Sequence, residues 1–204
     1  PRLLKSNRHD KAFYAAMWQD INTKGRWEGE LWNRRKNGDV YPERIVITAI
    51  LDAAGAAHRY VAVFNDITDL WRKDEHVRHL AFHDALTDLP NRTLLLERLD
   101  RQIAMSSREH RELAVMFLDL DGFKPVNDTL GHEVGDDVLK VVAQRLLTVV
   151  RQTDTVARLG GDEFVIILDN PMNRDEVAHI ASRILATVNE PMSLRGKTAQ
   201  VGMS

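Results

Sequence analysis

Two acidic clusters in this chain have the residue types and spacing to act together in chemistry. Asp162 and Glu163 directly follow Gly160 and Gly161, and apolar runs flank the four residues on both sides. Such a pattern predicts a β-hairpin that carries both carboxylates at its tip. Glycines let a bulky ligand approach the backbone, and carboxylates there can bind a divalent cation together with a phosphate. The alternative interpretation is a solvated hairpin turn.

The second cluster, Asp119 and Asp121, follows the apolar run 113–118. A near-continuous apolar run predicts a strand that is buried on both faces in the centre of a sheet. The ends of such strands are common places for functional residues. A calcium loop of the EF-hand type is excluded, because Lys124 stands where that loop needs glycine and Leu130 where it needs glutamate.

The polar segment 123–136 lies between this strand and an amphipathic helix predicted over residues 138–149. It contains Asn127 and Asp136, whose amide and carboxylate are groups that can read the edge of guanine. Asn and Asp outside regular elements are more often turn formers. Asp136 could also cap the following helix.

Composition narrows the class of protein. The chain has 204 residues, 44% hydrophobic and 28% charged, which suits a globular protein of one or two domains. Its net charge of −2 provides no basic surface for nucleic acid, so we expect no nucleic-acid partner. Cysteine is absent, and no apolar run is long enough to span a bilayer. We therefore expect a cytoplasmic location, with a membrane anchor outside this segment left open.

The N-terminal third predicts one helix and a three-stranded antiparallel meander. Asp10 is a helix N-cap and Gly25 a helix stop, while Asn37-Gly38 and Gly55 mark the two strand turns. A unit of this size is too small to bury both faces of its sheet, so we expect it to be part of a domain.

A polar helical segment follows at residues 70–83. Leu70, Val77 and Leu80 occupy heptad positions of a short coiled coil. His76, His79 and His83 share one face, so zinc binding competes there with the interpretation of solvated histidines.

Two family resemblances combine these features. The pattern Trp-x-Gly-Glu-x-Trp-Asn-Arg-Arg-Lys-Asn-Gly at residues 27–38 and the closing Asp66-Ile67-Thr68 resemble the C-terminal half of a PAS sensor domain. This resemblance implies a partial PAS domain over residues 1–69, whose ligand stays unknown, and a linker helix over residues 70–83.

Three further motifs resemble the GGDEF diguanylate cyclase domain. They are Asp-x-Leu-Thr-Asp-Leu-Pro-Asn-Arg at residues 84–92, Asp-Leu-Asp-x-Phe-Lys-x-x-Asn-Asp-x-x-Gly-His-x-x-Gly-Asp at 119–136, and Arg-Leu-Gly-Gly-Asp-Glu-Phe at 158–164. The resemblance implies a GGDEF domain over residues 84–204 that extends past the last residue. The implied fold class is α+β: a partial PAS antiparallel sheet, a linker helix, and an α/β domain with a central sheet flanked by helices.

The GGDEF resemblance also implies the reaction, which condenses two GTP molecules into cyclic di-GMP and pyrophosphate in a homodimer. It implies that Asp119, Asp162 and the Leu120 carbonyl hold Mg²⁺ or Mn²⁺. It further implies catalytic roles for Asp162, Glu163 and Lys124. The implied substrate-binding residues are Asn127, Asp136, His132, Phe123, Lys124, Gly160 and Gly161.

Regulation is implied by a motif just before the hairpin. Arg151 and Asp154 match the Arg-x-x-Asp inhibitory site of the family, which binds cyclic di-GMP through an arginine fork and a carboxylate. The alternative function is a non-catalytic nucleotide receptor that controls an appended phosphodiesterase domain. A third alternative is a PAS dimerisation fragment.

Overall fold

The computed structural model of the chain describes residues 4–53, 55–109 and 111–204. It divides into two compact units, Pro1–Val77 and Arg78–Ser204. Each unit has its own sheet and its own apolar core.

The first unit is a helix packed on a three-stranded antiparallel sheet of order β1-β2-β3. Asp10 caps the helix by accepting from the Phe13 N–H at 2.8 Å, and Gly25 ends it in the left-handed conformation with φ 71°. The core joins Met17 and Ile21 of the helix to apolar residues of the first two strands. The elements are α1 (Lys11–Lys24), β1 (Arg26–Arg34), β2 (Val40–Leu51) and β3 (Ala57–Asp66).

Every residue of β3 is exposed. It is an edge strand. Its Tyr60 contacts Trp18 and Asn22 of α1, but the apolar core joins that helix to the first two strands. The expectation that the unit cannot bury both faces of its sheet is confirmed.

Helix α2 (Thr68–Phe82) begins directly after β3. The Asp66 carboxylate accepts from the Thr68 N–H at 2.9 Å and from the Thr68 hydroxyl at 2.5 Å, and it also pairs with Arg35. None of the helix residues is buried. The boundary between the two units falls within this helix, between Val77 and Arg78.

The second unit is a three-stranded antiparallel sheet of order β4-β6-β5 with helices on both faces. Helices α5 and α6 pack against one face through Phe164, Ile166 and Leu168, and α3 packs against the other through Leu95. This arrangement is the mixed fold class that the sequence predicts. The elements are α3 (Arg92–Glu109), β4 (Leu113–Asp119), α4 (Phe123–Leu130), α5 (His132–Val149), β5 (Thr155–Gly160), β6 (Glu163–Asp169), α6 (Arg174–Val188), β7 (Met192–Leu194) and β8 (Lys197–Ala199).

The prediction that residues 113–118 form a strand buried on both faces is wrong. β4 lies at the edge of the sheet, and Phe117 is 74% exposed. Val115 and Phe117 lie opposite Ile167 and Val165, on the face that α3 covers. There α3 packs mainly on β5 and β6, and it leaves Val115 40% and Phe117 74% exposed.

The C-terminal residues contain a hairpin that sequence reasoning missed. β7 and β8 pair antiparallel, and Arg195 and Gly196 form the turn with φ 51° and 75°. Residues 200–204 follow this hairpin as an irregular segment whose backbone pairs with the end of β4 and the residues after it. Gly202 and Ser204 exchange hydrogen bonds of 2.9–3.1 Å with Asp121 and Asp119.

No helix within the described ranges is long and apolar enough to cross a membrane.

Candidate functional site

The two glycines and the first carboxylate occupy the tip of the β5–β6 hairpin, as the sequence predicts. Gly160 pairs with Glu163, and Gly161 and Asp162 form the turn between them. Gly160 has φ 138° and Gly161 has φ 55°, which side chains with a Cβ rarely adopt. A Cβ built at either glycine would meet no heavy atom within 4 Å. The space beside the tip is therefore open to a ligand.

A buried arginine holds this tip in place. The Arg158 guanidinium, in a residue only 8% exposed, donates to the Gly161 carbonyl at 3.1 Å from Nε and at 2.7 Å from Nη2. Its Nη1 donates to Asp84 Oδ1 at 2.8 Å, and that same oxygen accepts from the N–H and hydroxyl of Thr87. The motif at residues 84–92 thus stabilises the hairpin tip through the contact between Asp84 and Arg158.

Asp84 is ionised in its pair with Arg158. Burial raises the pKa of Asp84, but the hydrogen bonds from Thr87 and the ion pair with Arg158 outweigh burial and hold the pKa below its ordinary value. Sequence reasoning quoted both motifs but gave Arg158 and Asp84 no role. The sequence does contain a signal for this pair. Arg158 lies in an apolar strand, and a buried guanidinium needs an acidic or carbonyl partner.

Asp119 lies beside the hairpin tip. It ends β4, and its register partner across the strand pair is Glu163, the first residue of β6. Side chains of such a pair share one face, with Cβ atoms about 4.5–5.5 Å apart. Asp119 and Glu163 also line one cavity of about 440 Å³. Two acidic positions far apart in sequence therefore meet at one edge of the sheet, next to Asp162.

The donor set at this edge suits a hard cation only in part. Within the described residues no group of three His, Cys, Asp or Glu side chains is arranged to hold a metal ion. The protein therefore supplies carboxylate oxygens but leaves most of a coordination shell open. That is the situation of Mg²⁺, which usually keeps waters and takes substrate phosphates as its other ligands. The residues present fit such an ion as a partner of a bound phosphate.

The two residues expected to read guanine lie on a pair of short-linked helices. Asn127 is in α4, and Asp136 is in α5, joined to it through Gly131. A Cβ at Gly135 would stand 1.9 Å from Asn127 Oδ1, so the Asn127 carboxamide lies directly against the Gly135 backbone. Asn127 therefore contacts α5 at Gly135, the residue that precedes Asp136. Gly135 was not singled out from the sequence.

Neither residue is a turn former or a cap. Asp136 was considered as the N-cap of the next helix, but α5 already begins at His132 with Gly131 as its N-cap. Asp136 therefore lies inside the helix with an exposed side chain. No hydrogen bond or ion pair to that side chain exists among residues 4–53, 55–109 and 111–204, which leaves its oxygens available.

The other predicted substrate residues lie around the same two helices. Phe123 begins α4, partly buried against the core, and Lys124 follows it as an exposed cation. His132 is exposed at the start of α5. Leu120 is buried, 3% exposed, between β4 and α4. No hydrogen bond to the side chains of Lys124 or His132 occurs within the described part of the chain.

The predicted inhibitory residues Arg151 and Asp154 lie in the turn between α5 and β5. Asp154 accepts from the backbone N–H groups of Arg151 at 2.7 Å and of Asp169 at 3.1 Å. The Arg151 guanidinium forms an ion pair with Glu176 in the first turn of α6. Arg98 of α3 lines the same cavity of about 390 Å³ as Arg151 and Asp154. Sequence reasoning identified neither Glu176 nor Arg98.

The three histidines of the linker segment do not combine into a metal site in the part of the chain that the structure describes. His79 Nε2 lies 2.5 Å from Asp88 Oδ1, and its ring stacks on His83 with centroids 4.2 Å apart. His76 takes no part in these contacts.

Comparison with known proteins identifies the family. Residues 81–204 match the family model described as "Diguanylate cyclase, GGDEF domain". The chain is 40% identical over 159 residues to the bifunctional diguanylate cyclase/cyclic di-GMP phosphodiesterase MucR of Pseudomonas aeruginosa, covering 78% of this chain and 22% of MucR. It is 35% identical over 170 residues to the diguanylate cyclase TpbB of the same species, covering 80% of this chain and 39% of TpbB. The chain thus spans well under half the length of these relatives.

Solved structures give the same result. The GGDEF domain of TpbB from Pseudomonas aeruginosa superposes with a TM-score of 0.58 at 41% identity, covering 59% of this chain and 71% of that one. The coiled coil and GGDEF domain of DgcB from Caulobacter crescentus, in complex with cyclic di-GMP, superposes with a TM-score of 0.61 at 30% identity, covering 68% and 74%.

Proposed function

Since this chain belongs to the GGDEF family, we propose that it is the catalytic part of a diguanylate cyclase. The reaction joins two GTP molecules. Each ribose 3′-oxygen forms a bond to the α-phosphorus of the other nucleotide, each α-phosphorus loses pyrophosphate, and the two 3′-protons are released. The observation that carries this proposal is the placement of Asp119 opposite Glu163, beside a glycine tip that is open to a phosphate.

Asp119, Asp162 and the Leu120 carbonyl are the residues that would hold Mg²⁺ or Mn²⁺. Such an ion neutralises triphosphate charge and lowers the pKa of a nearby hydroxyl group when it is bound. Asp162, with Glu163 beside it, accepts the proton of the ribose 3′-OH. Such an ion would take substrate phosphates as further ligands beside these residues.

Substrate positioning is the task of the helix pair and the glycine tip. Asp136 accepts from N1–H and N2–H₂ of guanine, and the Asn127 amide reads the same base. Lys124 and the Phe123 backbone contact the phosphates, and Lys124 also stabilises charge that develops during transfer. His132 is a further substrate-binding residue. Gly160 and Gly161 admit the ribose and the α-phosphate.

Each domain holds one GTP, so the active species is a homodimer in which two domains face each other. We propose that residues 1–69 form part of a PAS sensor domain and that the linker helix over residues 70–83 carries its signal to the catalytic domain, which begins near residue 84. The resemblance of residues 27–38 and the exposed apolar positions of α2 support this arrangement. Because the substrate is GTP, the reaction belongs in the cytoplasm.

Product inhibition is part of the same proposal. Arg151 and Asp154 bind cyclic di-GMP, the arginine through its planar fork and the carboxylate through the donors of guanine. The cavity that they line together with Arg98 supports a ligand at this place.

The decisive experiment measures GTP turnover by the full-length protein with Mg²⁺, following cyclic di-GMP and pyrophosphate. We expect Asp162→Asn to lower kcat at least about 100-fold, since an ionised carboxylate is lost from the reacting centre. Asp100→Asn, an exposed change on α3, is the charge-matched control. Equal activity of Asp162→Asn and the control would remove the proposal.

A second candidate function is a non-catalytic receptor that controls an appended phosphodiesterase. It is favoured by the relative NbdA of Pseudomonas aeruginosa, named a cyclic di-GMP phosphodiesterase, which is 44% identical over 133 residues, covering 63% of this chain and 17% of NbdA. Calorimetry separates the two functions. Tight cyclic di-GMP binding without GTP turnover selects the receptor, and turnover selects the cyclase.

A further inference from the structure

The start of α5 concentrates negative charge around the residue expected to read guanine. Glu133, Asp136 and Asp137 fall within its first five-residue stretch after His132. An anionic nucleotide approaching this helix end meets three carboxylates. Any one of them could accept the N1–H and N2–H₂ donors of guanine.

A single arginine pairs with two of these three carboxylates. Arg195 Nε donates to Asp137 Oδ2 at 2.7 Å, and Arg195 Nη1 forms an ion pair with Glu133. The Arg195 contact is the main reason that the pKa of Asp137 lies below its ordinary value. Asp136, between the two paired residues in sequence, has no side-chain partner among the described residues. The result is one available carboxylate at this helix end.

Arg195 lies in the turn of the β7–β8 hairpin, whose strands pack in the core. Met192 of β7 and Ala199 of β8 are both 3% exposed, and the two strands pair from Met192–Ala199 to Leu194–Lys197. The left-handed conformations of Arg195 and Gly196 make the tight two-residue turn between them. The direction of the Arg195 side chain is thereby restricted.

The same hairpin also holds the other helix of the pair. Lys197 Nζ donates to the Leu130 carbonyl at the end of α4 at 3.2 Å. One short element therefore contacts both the helix that carries Asn127 and the helix that carries Asp136. Lys197 therefore lies at the end of α4, and Arg195 lies against the first turns of α5.

We infer that Arg195 is a positioning residue for nucleotide binding. It neutralises Glu133 and Asp137 so that Asp136 alone offers a carboxylate to the guanine base, and it lowers the repulsion felt by the triphosphate. This inference rests on the proposed GTP site and adds a residue of the β7–β8 turn to it. Arg195 touches the carboxylates and not the substrate, so its effect is on binding and base register.

The experiment compares the full-length protein with its Arg195→Gln variant in steady-state GTP turnover. We expect KM for GTP to rise roughly 3–10-fold, because two exposed ion pairs are lost, which leaves Glu133 without its partner and Asp137 with Lys140 alone, while kcat stays within about twofold. The rise in KM should shrink at high salt, since screening weakens repulsion between exposed charges. Arg183→Gln, an exposed arginine of α6, removes the same charge and should leave KM unchanged. Circular dichroism on both variants checks the fold.

A rescue variant separates charge pairing from a structural role. In Arg195→Gln/Glu133→Gln/Asp137→Asn the two flanking carboxylates are neutral without the arginine, so KM should return to within about twofold of the unaltered protein. Failure of this rescue, or an unchanged KM in Arg195→Gln, overturns the inference while leaving the cyclase function standing. If the unaltered protein neither binds nor turns over GTP, the proposed function fails first, and the inference fails with it.

Discussion

Arg158 is the residue on which the geometry of the hairpin tip depends. A guanidinium only 8% exposed must have its donors satisfied, and here they go to Gly161 and Asp84. The Asp84 side chain is itself only 19% exposed. Loss of either partner leaves a desolvated charge without compensation.

Asp84→Asn should therefore lower the free energy of unfolding by about 1–3 kcal/mol. It should also lower GTP turnover, because the carbonyl of Gly161 loses its fixed support. Urea denaturation and turnover assays measure the two effects. Asp100→Asn serves as the control on an exposed helix position, and equal unfolding free energies for the two variants would contradict the role assigned to Asp84.

Glu176 forms an ion pair with the arginine of the proposed inhibitory site. It pairs with Arg151 and at the same time accepts from the Met172 N–H at 2.6 Å. A ligand that needs the Arg151 Nη2 group must compete with this carboxylate.

Glu176→Gln keeps an oxygen for Met172 and removes the charge that pairs with Arg151. We expect the affinity for cyclic di-GMP to rise about 2–5-fold, which is the range that an exposed ion pair can account for. Isothermal titration calorimetry measures it, with Asp175→Asn as the charge-matched neighbour. Weaker binding in Glu176→Gln than in Asp175→Asn would mean that Glu176 contributes to the ligand site.

At the scale of elements, the contact between α4 and α5 depends on a missing side chain. Gly135 lies inside a helix, where glycine costs about 1 kcal/mol relative to alanine. A larger residue does not fit at this position, because the Asn127 carboxamide occupies the place of a Cβ.

Gly135→Ala should consequently destabilise the protein by about 1–3 kcal/mol in spite of the better helix propensity of alanine. It should weaken GTP binding at least about tenfold, since Asn127 is displaced from the base-reading position. Adding Asn127→Ala should restore stability without restoring binding. Thermal unfolding and calorimetry test both statements, and a more stable single variant would show that Asn127 moves aside without cost.

The junction of β3 and α2 is held by the Asp66 carboxylate. Hydrogen bonds from Thr68 and the ion pair with Arg35 lower the pKa of Asp66 from 3.8 to about 2. Because the folded pKa lies below the unfolded one, the stabilisation is complete above about pH 4 and is lost as the pH falls towards 2.

We expect the unfolding free energy to decrease over this acidic window and expect Asp66→Asn to remove part of that decrease. Urea denaturation at several pH values, combined with NMR titration of the Asp66 side chain, measures it. Asp69→Asn, in the first turn of α2, is the neighbouring control. A titration of Asp66 near its unfolded value would contradict the capping role.

For the whole molecule, we expect the exposed apolar side chains of α2 to form the dimer contact. Leu70, Val77 and Leu80 are 61%, 63% and 45% exposed, and they occupy the heptad positions predicted from the sequence. Exposed apolar side chains at this spacing are buried when two helices pair.

Leu80→Ser combined with Val77→Ser should raise the dimer dissociation constant at least about tenfold, since two buried side chains per chain are lost. Turnover per protein should then depend on protein concentration. Sedimentation equilibrium of the full-length protein measures the first effect, and Glu75→Ser on the same helix is the control. A dimer of unchanged affinity would place the contact elsewhere.

The sequence by itself determined what depends on neighbouring residues. The caps of α1 and the glycine tip of the hairpin follow from periodicity and turn chemistry, which act over a few positions. The helices that flank the second sheet were implied by the family resemblance. The three motifs at consistent spacing were enough to predict the GGDEF family. The site residues Asp119, Asp162, Asn127 and Asp136 came from those motifs, and their roles stay predictions.

Only the tertiary structure decided which distant residues meet. Strand order put β4 at the edge of the sheet and set Asp119 opposite Glu163, and neither follows from the apolar content of residues 113–118. Arg158 and Asp84 are 74 positions apart, and Arg195 and Glu133 are 62 apart. Pairings at such separations depend on how the whole chain packs, because a local pattern specifies which face of an element is apolar but not which element covers it.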